Sequence, residues 1–192
     1  MYTILRTIVL LVLISICIYI MRKQRRTFKT KALLICFSLL IMAAISVYPI
    51  ENYIHTFSSP EDAFKYKYSN GDINVVEGAD SALVVSENAD GDSTYEVFPK
   101  ANDRYKLPNI NSTEQIAYDF FETAFIDIEK CNDDYYVLVI AYDATEISDN
   151  KGSEFHYSSQ TGTEDDRILA YAYVEDISDF CITIDGETIK VV

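Results

Sequence analysis

The chain has 192 residues and a formal net charge of −14, enough for one short N-terminal segment and one domain with a core of ordinary size, and too little for two globular domains. Residues 1–50 carry seven basic side chains and no acid, whereas residues 51–192 carry all 30 acids against nine basic residues. An acidic body of that kind repels polyanions, which argues against DNA or RNA binding, and six glycines without a Gly-x-Gly run leave no phosphate cradle for a nucleotide enzyme.

The first 50 residues read as a transmembrane helical hairpin. Ala32 to Ile50 is free of charge and long enough to span the hydrocarbon layer, and residues 2–21 form a second span if Arg6 snorkels outward from near its end. The loop 22–31 between them contains Arg22, Lys23, Arg25, Arg26, Lys29 and Lys31. A short loop so rich in cations is retained in the cytoplasm, which places both termini and residues 51–192 on the other side of a plasma membrane, with the lipid bilayer as partner. Pro49 ends the second helix, flanked by Tyr48 and Tyr53 at headgroup level. Arg22 to Ser46 alone has the layout of a secretory signal with Ala44-Ile45-Ser46 as a small-x-small site, but the apolar segment upstream argues against cleavage there.

The acidic part, 51–192, reads as a mainly β, α+β domain. Ser59-Pro60-Glu61-Asp62 is a helix start, with a Ser cap, Pro at the first position and acids in the first turn, so a short helix is expected over about 60–68. After Asn70-Gly71, short β-branched runs predict strands over 73–77, 82–86 and 94–98, with a hairpin turn at Asp90-Gly91 between the last two. Pro99 and Pro108 bracket a connector. Residues 115–130 are ambiguous between helix and strand, and the alternation after Phe121 favours strand. Tyr135 to Tyr142 is a near-continuous apolar run, expected to be a central strand buried on both faces, entered from an Asn132-Asp133-Asp134 turn. Residues 167–174 and 180–184 read as strands, and Asp185-Gly186 joins the latter to a terminal strand. From about residue 112 onward the spacing predicts a small sandwich resembling immunoglobulin-type modules, without their Cys and Trp core.

The segment Ser59-Pro60-Glu61-Asp62-Ala63-Phe64 resembles the start of uncharacterised membrane-anchored or lipoprotein-type extracytoplasmic domains of Gram-positive bacteria. That resemblance implies a cell-envelope location and brings no catalytic residues with it.

The chemistry-bearing residues do not assemble into a catalytic motif. His55 and His156 have no partner at metal-ligand spacing. Ser148-Asp149-Asn150-Lys151 matches two patterns of penicillin-recognising enzymes within the same four residues, where those enzymes need two separate elements, so it reads as a turn ending at Gly152. Ser86 to Asp92 has oxygen side chains at the spacing of a calcium loop but is followed by Val97 where a bidentate acid is needed, and Glu164-Asp165-Asp166 with Asp133-Asp134 reads as solvated charge. No cofactor or metal is expected. Cys131 and Cys181 are the pair that an oxidising compartment would allow to bridge, two unpaired thiols being the alternative. Tyr66 with Tyr68 and Tyr171 with Tyr173 are spaced by two, so in strands each pair would share a face suited to recognition. The leading expectation is a non-catalytic binding or accessory module for an envelope protein or peptide. Behind it stand an acidic decoy or immunity-type factor for cationic peptides or metal ions, and then a carboxylate-dependent enzyme.

Overall fold

In a computed structural model, the described residues are 2–23, 28–68, 71–87, 93–121, 124–160 and 167–192. The chain divides into two compact units, Met1–His55 and Thr56–Val192. The first unit holds α1 (Tyr2–Lys23), α2 (Phe28–Val47) and a single 3-10 turn over Ile50–Tyr53.

Among the described residues no helix is long and apolar enough to cross a membrane. The expected two-span transmembrane hairpin is therefore corrected, and with it the plasma-membrane localisation, the outward placement of both termini and the topology-setting role of Arg22, Lys23, Arg25, Arg26, Lys29 and Lys31. Arg25 and Arg26 themselves lie outside the described residues. The physical reason is a charge at one end and an early stop at the other. The uncharged stretch of α1 starts only at Thr7 and ends at Met21, and that of α2 runs from Ala32 to the helix end at Val47. At about 1.5 Å per residue these reach roughly 22–24 Å, short of a hydrocarbon layer of about 30 Å. Arg6, expected to snorkel, is held within the unit: its Nε donates to Glu51 Oε1 at 3.1 Å and its Nη2 to the Tyr48 carbonyl at 3.4 Å. Glu51 is 2% exposed, so this pair neutralises a carboxylate that would otherwise be buried alone.

The second unit is mainly β. It comprises α3 (Pro60–Lys67) and twelve described strands: β1 (Asp72–Glu77), β2 (Ser81–Glu87), β3 (Ser93–Ala101), β4 (Arg104–Tyr105), β5 (Glu114–Phe120), β6 (Ala124–Cys131), β7 (Asp134–Tyr142), β8 (Ile147–Asp149), β9 (His156–Gln160), β10 (Arg167–Val174), β11 (Cys181–Ile184) and β12 (Glu187–Lys190). α3 starts as its sequence predicts, with the Asp62 amide donating to Ser59 Oγ at 3.2 Å and Pro60 in the first turn.

Among the described residues three sheets form, with strand orders β1-β2-β3-β4, β5-β6-β7-β10-β9 and β12-β11-β8, every pairing antiparallel. The five-stranded sheet is central and covered on both faces. Ile126, Ile128, Val137, Val139 and Ala170 pack from one face against Ile147, Phe180, Ile182 and Ile184 in and beside the third sheet. Cys131, Tyr136, Leu138, Leu169 and Tyr171 pack from the other against Val76, Leu83, Val85 and Val97 of the first sheet. Each aliphatic side chain buried this way contributes about 1.5–3 kcal/mol. On its outer side the first sheet is covered by α3, with the Phe64 ring 6.3 Å from that of Phe98. β7, the expected central strand, sits third of five with both faces buried.

Other expectations are corrected. Among the described residues an immunoglobulin-type strand order does not occur, because β5, β6 and β7 form a continuous meander and β8 leaves for the other sheet before β9 and β10 return. The ambiguous stretch 115–130 is a pair of strands, with the first already begun at Glu114. Pro99 lies inside β3 instead of ending it, and the turn beyond it is Asn102-Asp103, both in the left-handed region at φ 54° and 55°. The Asp90-Gly91 turn, most of the calcium-like loop ending at Asp92, and Glu164-Asp165-Asp166 lie outside the described residues.

Candidate cleft at the start of strand β5

A cleft of about 500 Å³ opens where the end of β3, the loop 106–113, the first residue of β5 and the β6–β7 turn meet. Its walls bring together Lys100, Lys106 and Lys130 with Asn109, Asn111 and Asn132. Each lysine is placed by a different local device. The left-handed Asn102-Asp103 turn folds β4 back on β3, pairing Lys100 with Tyr105, and the Lys106 amide then donates to the Pro99 carbonyl at 3.0 Å. Leu107, 1% exposed, pins the outgoing chain to the core. Lys130 enters through the register of β6, opposite Glu114 on one side and Tyr135 on the other.

The floor of the loop is self-bonded. Asn111 donates its amide to Asn109 Oδ1 at 2.8 Å, and the Ser112 amide donates to the Asn109 carbonyl at 2.9 Å. Asn132 Nδ2 reaches the Asp80 carbonyl at 3.0 Å. The lysines themselves are half-buried, with Lys100 Nζ 5.8 Å from the Tyr105 ring centre and Lys130 Nζ 5.4 Å from that of Tyr135. None of the three is in an ion pair among the described residues, although Glu114 also lines the cleft. Three lysines against one acid, Glu114, in the lining of a space of small-ligand size suit charge-assisted hydrogen bonds to a carboxylate or phosphate.

The tyrosines singled out by spacing do not form one surface. Tyr66 lies in α3 with its ring 5.3 Å from Phe57, and Tyr68 follows the helix with its ring 4.7 Å from Phe64. Tyr171 and Tyr173 do share a face of β10, but that face is turned into the core: Tyr171 is 1% exposed, stacked 5.8 Å from His156, and Tyr173 lies 5.9 Å from Tyr136. Cys131 and Cys181 are both free thiols, the first in the layer between the first two sheets and the second on β11. Asp149 organises the expected turn at Asn150-Lys151, its Oδ1 accepting the amides of Lys151, Gly152 and Ser153 at 2.9, 2.6 and 3.0 Å.

Two carboxylates stand next to each other on the face of β6 turned toward the first sheet. Asp127, 1% exposed, accepts from Tyr95 Oη at 3.1 Å and from Gln115 Nε2 at 3.0 Å. Burial, reinforced by the charges of Asp127 and Glu96, pushes the Glu129 carboxyl up to about 7. Among the described residues no group of three or more His, Cys, Asp or Glu side chains could hold a metal ion. Across β5 and β6, Tyr118, Phe120 and Phe125 form a ring cluster with centroids 4.7–5.5 Å apart; Tyr118 is 52% and Phe120 74% exposed.

Sequence reasoning singles out neither the lysine cleft nor the aromatic cluster. The lysines stand six and 24 residues apart with no motif between them, and the one available signal is their scarcity in so acidic a domain. Comparison with protein-family models, with curated proteins and with solved structures returned no match.

Proposed function

We propose that the β unit is a non-catalytic binding module that holds an anionic group, a carboxylate or a phosphate, in the cleft of Lys100, Lys106 and Lys130. One observation carries the reading. Residues 51–192 contain only nine basic side chains among 30 acids, yet three of the nine converge on a single open cleft without an ion-pair partner among the described residues. An anion in the cleft would meet these lysines through charge-assisted hydrogen bonds, stronger than neutral ones.

The test is a titration of the full chain with inorganic phosphate and with propionate, followed by amide NMR shifts. The expected result is saturable shifts confined to residues 100–114 and 130–132, lost in a Lys100→Gln, Lys106→Gln, Lys130→Gln variant whose circular dichroism is unchanged. Shifts that persist in that variant would reject the cleft as the site. The surplus of acids supports a competing reading, a decoy for cationic peptides, which the triple variant would leave untouched and high salt would abolish.

A further inference from the structure

We propose that the occupant of the cleft is the free C-terminus of an extended peptide, which adds as an antiparallel strand to the open edge of β5 and places its terminal carboxylate among Lys100, Lys106 and Lys130. The inference rests on the cleft being an anion site and adds to it the partner's chemistry.

β5 is an end strand of the central sheet, and five of its seven residues are exposed. Among the described residues no strand pairs with its outward N–H and C=O groups, a row to which another strand could add. Two devices that blunt an edge are present, a register shift between Gln115 and Ala117 at its start and the charged Asp119 near its end. From Ala117 to Phe120 the pairing with β6 is regular, and the strand contains neither Lys nor Pro.

The direction of the strand supplies the polarity. Glu114, its first residue, lines the cleft, while Tyr118 and Phe120 near its end join Phe125 in the exposed aromatic cluster. A peptide running antiparallel to β5, as every neighbouring pair in this sheet does, ends at the cleft. At about 3.3 Å per residue, the seven residues of β5 correspond to roughly 20 Å, so a residue about six positions before the peptide's end lies beside the rings. An aromatic or branched aliphatic side chain fits there. Glu114 and Asp119, which share the opposite face of β5 from those rings, favour basic residues at alternate peptide positions.

The experiment is an array of random heptapeptides, each made once with a free C-terminal carboxylate and once as the amide, probed with the full chain. We expect retained sequences to bind as free acids about tenfold or more tightly than as amides, and to carry an aromatic or aliphatic residue near the sixth position from the end. On a retained peptide, Phe120→Ser and Lys106→Gln should each weaken binding about tenfold, and amide exchange over residues 117–120 should slow in the complex. Amides that bind as well as acids, or an array in which no acid exceeds its amide, would overturn the proposal. If phosphate and propionate occupy the cleft while the array stays blank, the edge-strand inference fails and the anion site stands; if neither is bound, both fall.

Discussion

Gly78→Ala is a one-carbon test of how the first two sheets are locked together. Gly78 ends the β1 side of a tight turn whose amide donates to the Ser81 carbonyl at 2.9 Å. Asp134, 1% exposed, reaches into that turn from β7, accepting from the Ala79 amide at 3.0 Å, the Asp80 amide at 2.8 Å and the Ser81 hydroxyl at 2.6 Å. Ser81 Oγ also lies 2.9 Å from Tyr136 Oη. A Cβ on Gly78 would stand 2.6 Å from Asp134 Cγ and Oδ2 and 2.7 Å from Tyr136 Oη. Relief requires a shift of roughly 0.8 Å in a buried carboxylate fixed by three donors, which lengthens at least one charge-assisted bond beyond useful range. Each such bond contributes about 1.5–3 kcal/mol, so the net loss expected is about 2–4 kcal/mol. Urea unfolding followed by circular dichroism should show the midpoint falling by about 1–2 M with an unchanged slope. In a turn with room to spare, Gly→Ala stabilises by about 0.4–1 kcal/mol through the unfolded chain. A midpoint equal to or above that of the parent would therefore refute the lock.

Three further outcomes follow from buried titratable groups. Because the Glu129 carboxyl is held up at about 7, the folded state binds its proton more tightly than the unfolded chain, and stability declines as pH rises from about 4.5 through 7. Glu129→Gln should match the parent near pH 4.5 and exceed it by about 1–3 kcal/mol at pH 8 in urea melts at the two pH values; equal gains at both would show that the carboxyl is not the cause. Lys67, which pairs with the half-buried Glu96 beneath α3, should cost about 1–3 kcal/mol as Lys67→Met, with much of it recovered in Lys67→Met, Glu96→Leu, measured by thermal unfolding. Burial of Cys131 raises its thiol to about 11 and leaves it 0% exposed, so iodoacetamide at pH 8 should modify Cys181 in the native chain and Cys131 only in denaturant; mass mapping of the alkylated peptides decides this.

The parts of the fold that are legible in the sequence are those whose signal is local. The Ser59-Pro60 start makes α3, because capping geometry is settled within one turn. Tyr135 to Tyr142 reads as a central strand because a strand with both faces buried carries apolar side chains on both. The stretch 115–130 is ambiguous for a physical reason as well. Its helical spacing of Ile116, Phe120, Ala124 and Ile128 comes from two adjacent strands, one of which exposes Phe120 at an edge. Hydropathy misleads at the N-terminus because it counts apolar residues and does not see that Arg6 has a buried partner in Glu51, or that α2 stops at Val47. The cleft is invisible in the sequence because nothing local marks it. Lys100 and Lys130 meet only through the registers of two different sheets, and Lys106 arrives only because the Asn102-Asp103 turn reverses the chain.

The acid surplus itself bears on what such a cleft would admit. At physiological ionic strength charges are screened beyond about 8 Å, so a group inside the cleft is governed by the residues that line it, three lysines against Glu114. A ligand extending outside it is governed by the rest of the domain, where acids outnumber bases by more than three to one. A polyanion whose charges extend over tens of ångströms therefore gains at one point and is repelled at the others, whereas a single terminal carboxylate on a neutral or basic segment gains at both. An anion held there as proposed would need no steric gate for its selection: the selectivity would follow from a local excess of lysine set within a carboxylate-rich surface, and would be strongest for a ligand whose remaining side chains are cationic.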